Sequence, residues 1–258
     1  MLSYQHMYHA GGPADVHKHA ALARMLEQIA QSDASCTYVE THAGRGLYDL
    51  RSAEAAKTKE AERGILALDD GQSPILPAAY RRAIASARAV HGPNIYPGSP
   101  VIAQILLRSS DPMHLAELHP REVAALRQEV YGHGIQIRQM DGFEVAAEVL
   151  AQTKDQGFLL IDPSYEIKSD YEQAARFVVR MHTQHAGLRV LLWYPILEAG
   201  LHHIISDILE KHIGQSYERD HVMFPATMSP RLLGSGLIGI NLPDRLAPTD
   251  KSPPRLAN

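Results

Sequence analysis

Short apolar runs recur along the chain, separated by longer stretches in which apolar side chains return every three or four positions. Residues 14–31, ADVHKHAALARMLEQIAQ, carry the helical rhythm. The run CTYVET that follows is β-branched and ends at a glycine turn, AGRG, so the pattern predicts helix, strand and tight turn in succession. Further strand-like runs fall at 114–118 (HLAEL), 135–139 (IQIRQ), 157–162 (GFLLID), 189–194 (RVLLWY) and 237–242 (LIGINL), with helical stretches at 101–108, 121–130, 144–152, 171–183 and 201–211. Strands alternating with helices predict an α/β fold, a mostly parallel sheet with helices on both faces.

One stretch interrupts this alternation. Residues 47–97 show two helical patterns and no convincing strand, which predicts an inserted helical subdomain within a single domain spanning 1–258. Within 51–92 the insertion carries seven Lys/Arg against five Asp/Glu. The tail 243–258 holds four prolines and few apolar residues, so it is expected to be irregular. A length of 258 residues and 45% hydrophobic composition suffice for a full core. No run approaches a membrane span, and the start MLSYQHMYHAGG lacks the features of a secretion signal. A cytoplasmic protein with no membrane association is expected, and the single Cys36 fits a reducing compartment.

The net charge, 25 basic minus 29 acidic residues or −4, excludes a global field that would draw the chain to nucleic acid, so any such site must be a local patch. Histidine is abundant, at 15 residues, and His6, His9, His17 and His19 crowd the start. No zinc-type spacing accompanies them, so no metal site is expected.

In a doubly wound sheet ligands sit beyond the carboxyl ends of the strands. The first strand ends in Glu40-Thr41-His42-Ala43-Gly44-Arg45-Gly46, a small-residue turn that lets backbone approach a ligand. A dinucleotide site wants GxGxxG opening a helix and a carboxylate about 20 residues on. Here only Gly44-x-Gly46 is present, with Asp69 and Asp70 at about that distance after no strand, and a plain structural turn fits the same residues. Glu117 ends the second strand. The fourth ends in Asp162-Pro163-Ser164-Tyr165, which suits a planar, amine-bearing ring: Asp162 accepts one amino hydrogen, the Pro163 carbonyl accepts the other, and Tyr165 stacks on the face. A β-turn without a ligand is the alternative reading of the same four residues.

DPSY resembles the DPPY motif of adenine-N6 methyltransferases that use S-adenosylmethionine, and ETHAGRG resembles their cofactor-binding motif. The opening Tyr4-Gln5-His6-Met7-Tyr8-His9-Ala10-Gly11, the helix start Ala14-Asp15-Val16-His17-Lys18-His19, Tyr96-Pro97-Gly98-Ser99-Pro100, Glu117-Leu118-His119-Pro120, Asp141-Gly142-Phe143 and Trp193-Tyr194-Pro195 extend the likeness. Together these blocks resemble the RlmJ family of 23S ribosomal RNA adenine-N6 methyltransferases, in order from Met1 to about Pro243. Ser164 stands where the motif has its second proline, and the tail is shorter than the family leads one to expect.

The resemblance implies a Rossmann-like S-adenosylmethionine-dependent methyltransferase fold and methylation of adenine N6 in 23S ribosomal RNA, at adenine 2030; the oligomeric state stays open, with a monomer the expectation. It places the cofactor against His19, His42, Gly44 and its turn, and Ser99. Glu117 would hold the ribose hydroxyls, and Asp141 with Gly142 the cofactor's adenine. Asp162, with Pro163 and Tyr165, would be catalytic. Tyr4, His6 and Lys18, together with Arg81 and Arg82 of the insertion, would hold the substrate RNA. Catalysis would be in-line displacement governed by alignment of the amino nitrogen. Two other readings remain: a DNA adenine-N6 methyltransferase, and a weakly active nucleic-acid-binding protein linked to the use of external DNA as nutrient, which Ser164 favours.

Overall fold

The computed structural model describes residues 6–153, 156–225 and 232–246, without the side chain of Asp69. Tyr4 and most of the proline-rich tail lie outside them, and the described part of the tail, 243–246, contains neither helix nor strand. In chain order the elements are α1 (Pro13–Gln31), β1 (Cys36–Glu40), β2 (Leu47–Asp49), α2 (Ala53–Thr58), α3 (Glu60–Arg63), α4 (Ala78–His91), β3 (Ile95–Pro97), α5 (Ser99–Leu106), β4 (Met113–Ala116), α6 (Pro120–Glu129), β5 (Ile135–Arg138), α7 (Gly142–Gln152), β6 (Gln156–Ile161), α8 (Ser169–Gln184), β7 (Arg189–Leu197), α9 (His203–Ile213), β8 (Glu218–Met223) and β9 (Leu232–Ile240).

The main sheet has seven strands in the order β5-β4-β1-β6-β7-β9-β8. The first five pair in parallel, and β9 runs antiparallel between β7 and β8. Because successive side chains on a strand face opposite ways, each central strand feeds two cores. Tyr38, Phe158, Leu160, Leu191 and Leu237 pack with α1, α4 and α5. Their neighbours Val39, Leu159, Ile161, Val190, Leu192 and Ile238 pack with α7, α8 and α9. The predicted parallel sheet with helices on both faces is what these residues build.

Three strands differ from the sequence pattern. β8, ERDHVM, lies at the sheet edge with mostly polar, exposed positions, so it lacks the apolar run that marks a buried strand; charge on an edge also discourages pairing with other chains. β2 and β3, each three residues long, form an antiparallel ribbon with Tyr48 opposite Tyr96, and three residues are too few to display a period. They close the two ends of the 47–97 segment. Its helices are not a separate layer: Ile65, Tyr80 and Ile84 share one core with Leu22 and Leu26 of α1.

Candidate functional site

Parallel strands present their carboxyl ends on one edge, so Thr41 after β1, Glu117 after β4, Asp162 after β6 and the end of β7 converge. The first turn of α1 and the 98–99 turn complete the walls of a cavity of about 500 Å³, within the range of small-molecule sites.

One side of the cavity is organised by backbone. Gly44 adopts φ +63°, a conformation that favours glycine, and its N–H donates to Glu117 Oε2 at 2.9 Å. The other oxygen, Oε1, accepts from His119 N–H at 2.8 Å. Arg45 fastens the same turn to α6 through a two-pronged pair with Glu122 at 2.9 and 2.7 Å. Asp141 caps α7, its Oδ1 accepting from the N–H groups of Phe143 and Glu144. At Gly142 an added Cβ would lie 1.8 Å from the Thr41 carbonyl oxygen, so only glycine lets α7 begin this close to β1.

Two histidines on this side are held neutral. Burial lowers His42 to about 4; its Nδ1 lies 2.7 Å from the Thr41 hydroxyl, and its ring meets Phe143 edge-on. Burial lowers His19, which is 1% exposed, to about 3. His19 Nδ1 sits 2.7 Å from the Tyr96 hydroxyl, itself 2.7 Å from that of Tyr80. His19 Nε2 is buried in the cavity wall with no hydrogen-bond partner among the described residues. An orphaned buried nitrogen is costly unless a ligand satisfies it. Behind the wall, Glu40 accepts from the Ser99 hydroxyl at 2.5 Å and from Tyr38 at 2.9 Å, and burial pushes its carboxyl up to about 8.

The other side is organised by charge. Lys18 is 3% exposed and reaches Asp162 Oδ2 at 2.5 Å and Asp15 Oδ1 at 3.1 Å. The two carboxylates outweigh burial and raise the Lys18 ammonium above the ordinary lysine range. Asp15 also accepts from Gly11 N–H at 3.0 Å and lies 2.9 Å from His6 Nε2. Although burial opposes it, the surrounding positive charge holds Asp15 well below the usual carboxylate range. Tyr165 adopts φ +52° and donates from its hydroxyl to the Trp193 carbonyl at 2.7 Å. The Trp193 ring meets Tyr165 at 5.9 Å between centroids and lies 5.6 Å from Lys18 Nζ.

Most residues singled out from the sequence thus line one cavity: His6, Lys18, His19, His42, Gly44, Ser99, Glu117, Asp141, Gly142, Asp162, Pro163 and Tyr165. Lys18 stands differently from the expectation that it grips RNA, since its burial against two carboxylates keeps it beside Asp162. Arg81 and Arg82 lie on α4 away from the cavity. Arg82 pairs with Glu27 at 3.1 Å, nine residues along α1 from Lys18, a rise of about 14 Å. The dinucleotide alternative loses its geometry. The Gly44-x-Gly46 turn leads into β2 rather than a helix, and Asp70 is occupied by Arg88 at 2.8 Å. The sequence assigns no role to Asp15 or Trp193, although both fall within the matching motif blocks. The available signals are the place of Asp15 between His6 and Lys18 in a polar first turn, and Trp193 as the chain's one tryptophan, late in the apolar run 189–194.

The family model described as "Ribosomal RNA large subunit methyltransferase D, RlmJ" matches residues 33–251. The chain is 34% identical over 251 residues to "Ribosomal RNA large subunit methyltransferase J" of Escherichia coli (strain K12), covering 95% of this chain and 89% of that protein. It is 32% identical over 249 residues to the protein of the same name from Haemophilus influenzae, covering 94% and 88%. The crystal structure of protein LPL1258 from Legionella pneumophila superposes with a TM-score of 0.77 at 30% identity, covering 92% of this chain and 88% of that one.

Proposed function

The chain belongs to the RlmJ family of ribosomal RNA large subunit methyltransferases, and from that premise we propose that it methylates N6 of an adenine in 23S ribosomal RNA, adenine 2030 by the resemblance, with the base held at Asp162. S-adenosylmethionine is the cofactor and supplies an electrophilic methyl group on a sulfonium sulfur.

The chain's own residues fit that cofactor. His19 Nε2 is an unmatched buried polar atom in the wall. Glu117 offers a carboxylate already oriented by two backbone N–H groups, suited to ribose hydroxyls. Asp141 and the glycine-tight start of α7 leave a flat place for an adenine ring, and His42 and Ser99 complete the lining.

On the charged side, Asp162 accepts one hydrogen of the target amine and the Pro163 carbonyl accepts the other. This aims the nitrogen lone pair along the line of displacement. Positive charge develops on that nitrogen, and Asp162 lies where a fixed negative charge favours it. Lys18, 2.5 Å from Asp162 Oδ2, holds that carboxylate in place. No strong base is required, since the amine loses its proton after the methyl has moved. Tyr165 and Trp193 supply aromatic surface for a base drawn out of its stack. His6 at the cavity, with Tyr4 beyond the described residues and Arg81 and Arg82 on α4, would contact the flanking RNA.

The observation that carries this reading is the convergence of Asp162, Pro163, Tyr165 and the orphaned His19 nitrogen on one cavity. Methyl-labelled cofactor offered to unmodified 23S RNA, assembled large subunits and DNA tests it. Label on RNA alone is expected; label on DNA, or on nothing, supports the DNA-methylating or the binding-only reading instead.

A further inference from the structure

Three consecutive residues of α1 leave the helix about 100° apart and tie it to three different elements. Lys18 goes to Asp162 and His19 to Tyr96, as described. His17 turns the third way, toward the antiparallel end of the sheet. Its Nδ1 lies 2.9 Å from Ser235 Oγ on β9, and its Nε2 lies 3.1 Å from Asp220 Oδ2 on β8. Ser235 is fully buried and accepts from the Trp193 indole N–H at 2.8 Å.

The two ends of this chain have fixed directions. Indole N–H only donates and a carboxylate only accepts. Ser235 therefore accepts from Trp193, His17 donates from Nε2 to Asp220, and a hydrogen bond between Ser235 Oγ and His17 Nδ1 joins them. Hydrogen bonding to His17 is the leading cause that holds Asp220 below the usual carboxylate range. Although serine, histidine and aspartate stand in line, Ser235 is sealed from solvent and its oxygen is engaged by Trp193, so the arrangement is no hydrolytic triad. What reaches the cavity is Trp193.

We propose that Ser235, His17 and Asp220 form a positioning chain that fixes the Trp193 ring as one wall of the purine pocket, acting on methyl transfer only through that ring. This rests on the reading of the base side given above. A tryptophan ring has two-fold freedom about its outer torsion, and a hydrogen bond to its one polar atom selects the orientation. The ring so held abuts both Tyr165 and Lys18, so a turned ring disturbs stacking and the lysine that holds Asp162.

The full chain contains one tryptophan, so its emission reports this site alone. We expect Ser235→Ala to shift that emission, to lower single-turnover methylation of 23S RNA about tenfold, and to leave the cofactor Kd within about twofold. Titrating Trp193 emission with adenosine monophosphate in the presence of S-adenosylhomocysteine should show a midpoint at least fivefold higher in the variant. His17→Gln interrupts the chain at a partly exposed position and serves if Ser235→Ala does not fold. In a Trp193→Phe background, where no N–H is left to hold, Ser235→Ala should cause no further loss of methylation.

Equal losses with and without the indole would overturn the proposal, as would methylation and adenosine binding unchanged by Ser235→Ala and His17→Gln. Absence of any response of the wild-type tryptophan to adenosine monophosphate would overturn it too. A wild-type chain that binds adenosine monophosphate through Trp193 but methylates no RNA would remove the functional reading while leaving the positioning chain supported.

Discussion

On one side of the cavity, Glu117 and Asp141 are fixed by backbone N–H groups and a glycine contact. On the other, Lys18 reaches across 144 positions of sequence to Asp162 and shares its charge with Asp15. The first side is fixed largely by backbone N–H groups at the ends of neighbouring strands and at the start of α7. The second exists only once α1 docks on the sheet, and it buries charges that stabilise one another only together. The side proposed for the cofactor is thus held mainly by backbone geometry, and the side proposed for the base mainly by charge.

The largest expected effect separates the two sides. Asp162→Asn keeps the shape but removes the charge facing the amine. Single-turnover methylation should fall by at least about 100-fold while calorimetry finds the cofactor Kd within about twofold. Glu117→Ala should do the reverse. Loss of a charged hydrogen-bonding partner costs about 1.5–3 kcal/mol, raising the cofactor Kd by about one to two decades ahead of any change at saturating cofactor. The same pattern in both variants would dissolve the division.

Acidity sharpens the comparison. His19 and His42, at about 3 and about 4 when folded, take protons on unfolding below about 6.5, so stability falls as pH drops through that window. Glu40 works oppositely. Its folded carboxyl, at about 8, holds a proton that the unfolded chain releases above about 4.5, so stability falls as pH rises toward 8. Each such proton is worth about 1.4 kcal/mol per pH unit while it is fully displaced. Asp15 and Lys18 are shifted outward, below and above this range, so the base side contributes no slope between them. Thermal melting of the cofactor-free protein should therefore peak near pH ~6.5. Glu40→Gln should flatten the alkaline limb and steepen the acid limb above about pH 4.5, where Glu40 opposes the histidines, and a pH-independent Tm would contradict the assignment.

The smallest effect concerns Ser164. The positive φ of this loop falls on Tyr165, not on Ser164, and Ser164 is exposed. Ser164→Pro should be accepted and stabilise by about 0.4–1 kcal/mol through the unfolded state, raising Tm by about 1–4 °C with methylation equal or higher. A destabilised variant would show that the serine N–H is needed where the family motif has proline.

These contrasts explain what the sequence made legible. β6 declares itself by GFLLI because it is buried on both faces, whereas β8 hides because an edge strand stays polar. Glu117 and Asp162 were identifiable as carboxylates after apolar runs, since strand ends are where parallel sheets bind. His19 entered through the resemblance alone; nothing in one sequence reveals that a helical histidine has a buried nitrogen without a partner. Likewise the pairing of Lys18 with Asp162, and of Trp193 with His17 through Ser235, depends on helix docking that periodicity does not encode.

The decisive property of the site is which nitrogen of which base receives the methyl group. After one turnover on unmodified 23S RNA, nucleoside analysis by mass spectrometry should find N6-methyladenosine as the new nucleoside, absent when Asp162→Asn replaces the parent. Methyl on a ring nitrogen or carbon of the base, or N6-methyladenosine formed equally fast by Asp162→Asn, would contradict it.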